Sequence, residues 1–198
     1  MKKILIASKN KGKIAEFEAL LADLPFKVYS LLDFADIIDI EETGLTFEEN
    51  ALIKARFIAE NFPGIVVADD SGIEVDVLNG RPGVFSARYS GVNATDESNT
   101  ALLLEELKSY NNQSERTGRF RCVLAIIDEE KNEKIVDGVC EGFIGLVPVG
   151  SNGFGYDPLF KVDIDGLTLA QMSKQEKNAI SHRAKAFNKM VSLLKSLS

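Results

Sequence analysis

Short apolar runs alternate along this chain with segments whose apolar residues recur at helical spacing. Runs of this length suit strands, and a run that is apolar on both faces is typical of a central strand covered by helices. The alternation predicts an α/β fold with helices flanking a mixed sheet. The expected strands cover residues 3–8, 26–31, 65–68, 120–127 and 134–144.

Helices are expected between and after these strands. From about residue 13 to 21, the residues expected on one buried face are Ile14, Phe17, Leu20 and Leu21. Thr46 and Glu49 have the form of a capping box, which predicts a helix from there to about residue 61. The other expected helices run from residue 95 or 96 to 108 and from about residue 181 to the end.

Nothing in the sequence divides the 198 residues, so we expect a single domain over residues 1–198 with at most two lobes. No apolar run approaches ~18 residues and no signal peptide is visible, which predicts a cytoplasmic protein. The net charge of −7 disfavours a nucleic-acid polymer or an anionic membrane as the main partner. Cys122 and Cys140 are expected to be reduced thiols of the core.

A polar turn containing glycine follows the first strand, from Ser8 to Lys13. It leads into a helix start, where backbone amides point outward with partial positive charge. Ser8 and Asn10 add neutral donors and Lys13 adds a cation, which suits a phosphate. The turn lacks the Gly-Lys-Ser/Thr ending of a P-loop, so a solvated turn is the competing interpretation.

Two acidic pairs offer oxygen ligands for a hard metal ion: Glu41 with Glu42, and Asp69 with Asp70 at the end of a strand. Mg²⁺ commonly takes one or two carboxylates together with substrate phosphates. Strand alternation would point Asp69 and Asp70 to opposite faces, so only one of them is expected to reach the ligand. Gly72 follows closely and permits close backbone approach, which favours a site.

Residues 150–158 are rich in glycine, with Phe154, Tyr156 and Asp157 interleaved. A base could stack on an aromatic ring while Asp157 accepts a hydrogen bond from it. A tight loop whose aromatic side chains simply pack is the competing interpretation.

Basic residues open the last helix. Ser181 is a natural N-cap, so His182 and Arg183 fall in the first turn, where the helix dipole disfavours cations. Their position indicates a bound anion, and Lys177 lies nearby in the sequence. Lys54 and Arg56, on the helix that Thr46 opens, could add positive charge. A structural histidine and solvated helix residues are the competing interpretation. Together with the acidic pairs and the glycine-rich segment, these groups fit a nucleotide phosphate ester.

Six motifs occur in an order typical of one enzyme family. They are Ser8 to Lys13, Glu42 to Asn50, Ala68 to Gly72, Pro82 to Tyr89, Gly153 to Pro158 and Ser181 to Arg183. From the first strand to the last helix, the chain resembles the inosine triphosphate pyrophosphatase family, also called Ham1-like. The resemblance implies a two-lobed α/β fold around a long mixed sheet flanked by helices. It also implies a homodimer and a nucleotide cleft between the lobes.

The same resemblance implies an activity. The substrates would be ITP, dITP and XTP or dXTP, and the products would be the nucleoside monophosphate and pyrophosphate. The reaction would need Mg²⁺ and would remove deaminated purines from the nucleotide pool.

The resemblance also assigns roles to individual positions. The residues that would hold the triphosphate are Ser8, Lys9, Asn10, Lys11, Gly12, Lys13 and Lys54. Metal would bind Asp70, which would also be the general base, and the acidic pair before Thr43, where Glu42 is favoured and Glu41 stays open. The residues that would bind the rest of the nucleotide are Ser71, Phe154, Gly155, Tyr156, Asp157, Lys177, His182 and Arg183, the last three near the base. His182 and Arg183 are candidate donors to a 6-oxo group.

Two other interpretations compete. A Maf-like nucleotide pyrophosphatase shares the general fold, but carries a Ser-Pro-Arg-type motif where this chain has Ser8, Lys9 and Asn10. A non-catalytic nucleotide-sensing module would bind without turnover, and would have no use for a general base.

Overall fold

The computed structural model describes residues 1–34 and 40–197. Its strands are β1 (Lys2–Ile6), β2 (Phe26–Ser30), β3 (Ile65–Val75), β4 (Thr117–Ile127), β5 (Glu133–Ile144) and β6 (Phe160–Lys161). They form one sheet in the order β2-β1-β3-β4-β5-β6. β1 runs parallel to β2 and β3, whereas β5 and β6 are antiparallel. The predicted α/β class with a mixed sheet is therefore confirmed.

Five helices accompany the sheet in the described part of the chain. They are α1 (Lys11–Leu21), α2 (Phe47–Ala59), α3 (Asp96–Glu106), α4 (Lys174–Ile180) and α5 (His182–Leu197). Four of them lie where the sequence predicts a helix. The sequence prediction omitted α4 and β6, because seven and two residues are too few to show a periodic pattern.

Two boundaries differ from the prediction in ways that affect the candidate site. α1 begins at Lys11, two residues early, because Asn10 is its N-cap and accepts a hydrogen bond from the Lys13 amide at 3.1 Å. β3 does not end at Ala68 but continues to Val75, so Asp69 and Asp70 lie inside a strand.

Residue contacts divide the chain into two compact units. Unit 1 comprises Met1–Asp70, Val123–Asp137 and Ala186–Ser198, and unit 2 comprises Ser71–Cys122 and Gly138–Lys185. The nucleotide cleft that the resemblance implies stays a prediction.

The core of unit 1 positions the start of α1. Ile14, Phe17 and Leu21 are buried on one face of this helix, as their spacing predicts, whereas Leu20, predicted on the same face, is 38% exposed. The Phe17 ring meets Phe187 of α5 edge to face, with ring centroids 5.8 Å apart. This packing holds the amide-bearing end of α1 beside the end of β1.

The core of unit 2 contains a buried cation. The Arg116 guanidinium donates hydrogen bonds to the carbonyl oxygens of Tyr110, Leu107 and Gly145 at 2.7, 2.8 and 3.0 Å. The carbonyl groups at the end of a helix have no partners within the helix. The charge-assisted hydrogen bonds from Arg116 supply partners here, and so hold the segment that follows α3 in place.

The cysteines agree with the prediction, since Cys122 and Cys140 are both buried and not disulfide-bonded. Among the residues that the structure describes, no helix is both long and apolar enough to cross a membrane.

Replacing Phe17 tests the packing under α1. We expect Phe17→Ala to lower the free energy of unfolding by about 3–5 kcal/mol, because it removes a fully buried ring and leaves a cavity. Urea unfolding measures the change. Glu18→Ala, an exposed position on the same helix, is the control and should cost less than about 0.5 kcal/mol. A loss below about 1 kcal/mol for Phe17→Ala would contradict this account of the core.

Candidate active site

A cavity of about 280 Å³ lies in unit 1, at the end of β1 and the start of α1. Ser8, Lys9, Asn10 and Lys13 form part of its wall. This volume lies just below the range for small-molecule sites, about 300–1,000 Å³, and suits a phosphate chain better than a whole nucleotide.

The segment that the sequence singled out as a phosphate cradle is ordered by its own side chains. Ser8 Oγ accepts a hydrogen bond from the Asn10 amide at 3.1 Å, and Asn10 in turn caps α1. Four of its six residues line the cavity. Lys11 and Gly12 lie exposed in the first turn of α1 and are not among the described residues of the wall.

Lys13 forms an ion pair with the second acidic pair of the sequence. Its Nζ lies 2.5 Å from Asp69 Oδ2, and the Asp69 side chain is only 3% exposed. Asp69 also lines the cavity. The contact therefore holds a cation of the phosphate cradle against the central strand.

Lys54 of α2 lies at the centre of the acidic groups. Its Nζ is 2.6 Å from Glu42 Oε1 and 3.8 Å from Asp70 Oδ1. Burial acts to lower the pKa of Lys54, but the charges of Asp69, Asp70 and Glu42 outweigh it and raise that pKa. Lys54 is therefore a fixed cation, and both Asp69 and Asp70 are within its electrostatic range, although alternation suggested that only one would reach the site.

Within this cluster, the pKa of the Asp70 carboxyl group departs clearly from its ordinary value. Its pKa is raised from 3.8 to about 6, chiefly because burial disfavours the charged form. The charge of Lys54 and the Asn50 amide act to lower this pKa, whereas the charges of Glu42 and Asp69 raise it further. A carboxyl group with a pKa near 6 can exchange a proton close to neutral pH, as a general base must.

Asn50 is a site residue that the sequence analysis missed. It is fully buried on α2, and its Oδ1 accepts a hydrogen bond from the Gly44 amide at 2.8 Å. It thereby ties the segment after Glu42 to the helix beside Asp70. Its spacing of three residues from Phe47, on the buried face of α2, was a signal that could have found it.

The structure also separates the two glutamates of the first acidic pair. Glu42 lines the cavity and contacts Lys54, whereas Glu41 is exposed. Only Glu42 of the two is therefore placed beside the buried acids.

The remaining predicted site residues lie in unit 2. Phe154 is 38% exposed, and above its ring lie Lys177 Nζ and Arg183 Cζ, at 5.1 and 5.4 Å from the centroid. A ring with two cations over it is a platform that attracts electron-rich aromatic ligands as well as anions.

Tyr156 is buried and donates a hydrogen bond to the Ser86 carbonyl oxygen at 2.8 Å. Of the two aromatic residues in the segment, Tyr156 packs and Phe154 is available.

Asp157 is engaged inside its own loop. It is 3% exposed, and its Oδ2 accepts hydrogen bonds from Lys177 Nζ at 2.5 Å and from the Phe154 amide at 3.0 Å. Its carboxylate thus fixes the loop and the lysine, and the nucleotide contact that the resemblance implies for Asp157 stays a prediction.

The start of α5 is built as the sequence predicts. Ser181 Oγ accepts a hydrogen bond from the Ala184 amide at 3.2 Å, which makes it the N-cap. The His182 ring is buried and stacks on Phe120, with centroids 4.9 Å apart and planes 14° apart.

Ser71 is half-buried in β3, directly after Asp70. The predicted residues thus form one group in each unit.

Comparison with known proteins shows similarity over almost the whole chain. The model of the Ham1 family matches residues 4–193. A dITP/XTP pyrophosphatase from Bacillus licheniformis is 50% identical over 194 residues, which cover 98% of each chain. A dITP/XTP pyrophosphatase from Halalkalibacterium halodurans is 48% identical over 190 residues, which cover 96% of this chain and 97% of the relative.

Solved structures show the same similarity. The Ham1 protein of Staphylococcus aureus is 42% identical and superposes with a TM-score of 0.89 over 100% of both chains. A HAM1 protein from Coxiella burnetii is 45% identical, with a TM-score of 0.91 over 99% of this chain and 100% of its own.

The pKa of Asp70 predicts a pH-dependent effect on stability. The pKa of Asp70 is about 6 in the folded protein and 3.8 in the unfolded chain, so ionised Asp70 lowers the stability of the fold. This cost is full above pH 6 and falls as pH drops from 6 towards 4. Asp70→Asn should therefore stabilise the metal-free protein by about 2–3 kcal/mol at pH 8 and by about 1 kcal/mol at pH 4.5. Urea unfolding with a chelator present measures both values.

Asp76→Asn is the matched control with the opposite sign. A hydrogen bond from Thr117 holds the pKa of Asp76 below its usual range, with Arg119 adding to the effect, so its charge stabilises the fold. Asp76→Asn should lower stability at pH 8. An Asp70→Asn protein that is less stable than the unsubstituted protein at pH 8 would refute the electrostatic account.

Proposed function

The chain belongs to the Ham1 family, and on that premise we propose that it hydrolyses ITP, dITP and XTP or dXTP to the nucleoside monophosphate and pyrophosphate. The observation that carries the proposal is a charged cluster at the cavity. Lys13 pairs with Asp69 and Lys54 with Glu42, and all four line the cavity, while Asp70 contacts Lys54 and is not among the described residues of the wall. Such a site pairs cations for a phosphate chain with acids for a metal ion. The names of the relatives, dITP/XTP pyrophosphatase, support the substrate class.

The donor set fits Mg²⁺. Carboxylate oxygens are its preferred protein ligands, and one or two of them with substrate phosphates complete the shell. Glu42 and Asp70, which both contact Lys54, would hold the ion together with the substrate phosphates. When bound, Mg²⁺ would neutralise phosphate charge and lower the pKa of a coordinated water.

The residues of the chain would divide the chemistry between them. Asp70 accepts a proton from the water that attacks the α-phosphorus. The new bond joins the water oxygen to the α-phosphorus, and the bond from that phosphorus to the bridging oxygen breaks. Pyrophosphate leaves with the electron pair, and Lys13 and Lys54 offset its charge.

Selectivity for the base would come from unit 2. Phe154 would offer its exposed ring for stacking, and Arg183, whose Cζ lies 5.4 Å from the ring centroid, would be a nearby donor. His182 and Arg183 would donate to a 6-oxo group. Adenine carries an amino group there, which would leave buried donors unpaired at a cost of about 1–3 kcal/mol.

Three properties implied by the family resemblance remain predictions: the homodimer, the cytoplasmic location and the cleft between lobes. Size-exclusion chromatography with light scattering would test the first.

The substrate prediction is tested with a panel of ITP, dITP, XTP, dTTP, UTP, ATP and GTP in the presence of Mg²⁺. We expect pyrophosphate from the first three and little turnover of ATP, dTTP and UTP, which lack a 6-oxo purine; GTP carries that group and serves to measure the effect of a 2-amino group. Pyrophosphate and orthophosphate are measured separately. Orthophosphate as the first product would contradict attack at the α-phosphorus, preference for dTTP or UTP would favour the Maf-like interpretation, and no turnover at all would favour the sensing module.

Removing the proposed base tests the mechanism in the same assay. Asp70→Asn should lower kcat by about 10²–10⁴-fold, because the amide cannot accept the proton. Its circular dichroism should match that of the unsubstituted protein. An active Asp70→Asn enzyme would refute the role of Asp70.

The neighbouring glutamates provide a matched pair for the metal. Glu42→Gln should raise the Mg²⁺ concentration needed for half-maximal activity at least about tenfold, because it removes a charged ligand. Glu41→Gln should leave that concentration within a factor of two, since Glu41 is exposed and Glu42 is the glutamate that contacts Lys54. The reverse order would assign the metal to Glu41.

A further inference from the structure

The loop that carries Phe154 has unusual backbone freedom on both sides of the ring. Gly153 and Gly155 both lie in the left-handed region, with φ of +77° and +61°. Only glycine adopts such angles without a steric penalty. Glycine also has the largest conformational freedom in the unfolded chain, so ordering it costs the most entropy. A Cβ on Gly153 would lie 2.0 Å from Asp157 Oδ2, so this position cannot be stiffened by a larger residue. The Phe154 ring therefore depends on tethers for its orientation.

Two carboxylates supply these tethers. The Phe154 amide donates to Asp157 Oδ2 at 3.0 Å, and the Gly155 amide donates to Asp96 Oδ2 at 2.6 Å. The two peptide groups that flank Phe154 are thus each held by a negatively charged acceptor. Charge-assisted hydrogen bonds of this kind are about twice as strong as neutral ones.

Asp96 comes from a distant element, 59 residues before Gly155 in the chain. It is the first residue of α3, where an acidic side chain usually serves the helix itself. In this helix the capping hydrogen bonds are made by Thr95 and Ser98, whose hydroxyls accept from each other's amides at 3.2 and 2.8 Å. Asp96 instead reaches across to the loop.

We propose that Asp96 is a positioning residue for the nucleotide base: it fixes the Phe154 ring under Lys177 and Arg183 so that the base meets an ordered stacking surface. The inference rests on the proposed function, because it takes Phe154 to be the stacking surface. Asp96 is not among the described residues that line the cavity of the acidic cluster. Its loss should weaken binding of the nucleoside part and leave the chemical step unchanged.

Steady-state kinetics with three variants test the proposal. Asp96→Ala should raise KM for dITP about tenfold and keep kcat within a factor of two, as expected for one lost charge-assisted bond. KM for XTP should rise by the same factor, because stacking does not distinguish the 2-position. Asp96→Asn, whose amide oxygen can accept the same hydrogen bond, should recover most of the loss. Glu97→Ala removes the adjacent first-turn charge of α3 and should change KM by less than twofold.

Product inhibition separates positioning from a general structural effect. Pyrophosphate has no base, so its inhibition constant should be the same for Asp96→Ala and the unsubstituted enzyme. An unchanged KM, an equal fall in kcat, a weakened pyrophosphate inhibition, or an Asp96→Asn enzyme as impaired as Asp96→Ala would each overturn the proposal.

Hydrogen exchange distinguishes failure of this inference from failure of the proposed function. In the nucleotide-free protein, Asp96→Ala should increase amide exchange in a peptide covering residues 152–157 at least about threefold, whereas Glu97→Ala should not. If the unsubstituted protein hydrolyses none of the triphosphates, the proposed function fails while this measurement still reports on the tether. If exchange at the loop is unchanged in Asp96→Ala, Asp96 does not position Phe154.

Discussion

The candidate site depends on one half-buried cation, Lys54, beside three carboxylates. Placing Glu42, Asp69 and Asp70 close together, with both aspartates buried, would be strongly unfavourable without a counter-charge, because a buried ionised carboxylate loses its hydration. Lys54 supplies that charge at 2.6 Å from Glu42 and 3.8 Å from Asp70, and Lys13 supplies a second at 2.5 Å from Asp69. Even so, the pKa of Asp70 stays near 6. The cluster therefore keeps a residual affinity for positive charge, which suits a divalent ion.

The fold delivers these groups by simple local rules. The capping box at Thr46 fixes the start of α2 and so the position of Lys54, two turns further on. The N-cap at Asn10 fixes the start of α1 and so Lys13. β3 continues beyond its apolar run and therefore includes both aspartates. Because the two side chains are buried there, their charges require partners. Burial of ionised Asp70 lowers the stability of the fold, but the same burial raises its pKa to a value at which it can exchange protons near neutral pH.

Much of this arrangement could be predicted from the sequence, and the failures share one physical cause. Helix caps and apolar spacing are local signals, and they located α1, α2 and α5 correctly. The buried face of α2 points to Asn50 but not to its partner Gly44. The contact of Asp96 with Gly155 joins segments 59 residues apart, so no local pattern shows it.

Isotope labelling tests the central claim, that this cluster activates water for attack on the α-phosphorus. Hydrolysis of dITP would be run in H₂¹⁸O, and both products would be analysed by mass spectrometry. The account predicts one ¹⁸O atom in the nucleoside monophosphate and none in pyrophosphate. Label in pyrophosphate would show that water attacks the β-phosphorus, and would contradict the role given to Asp70.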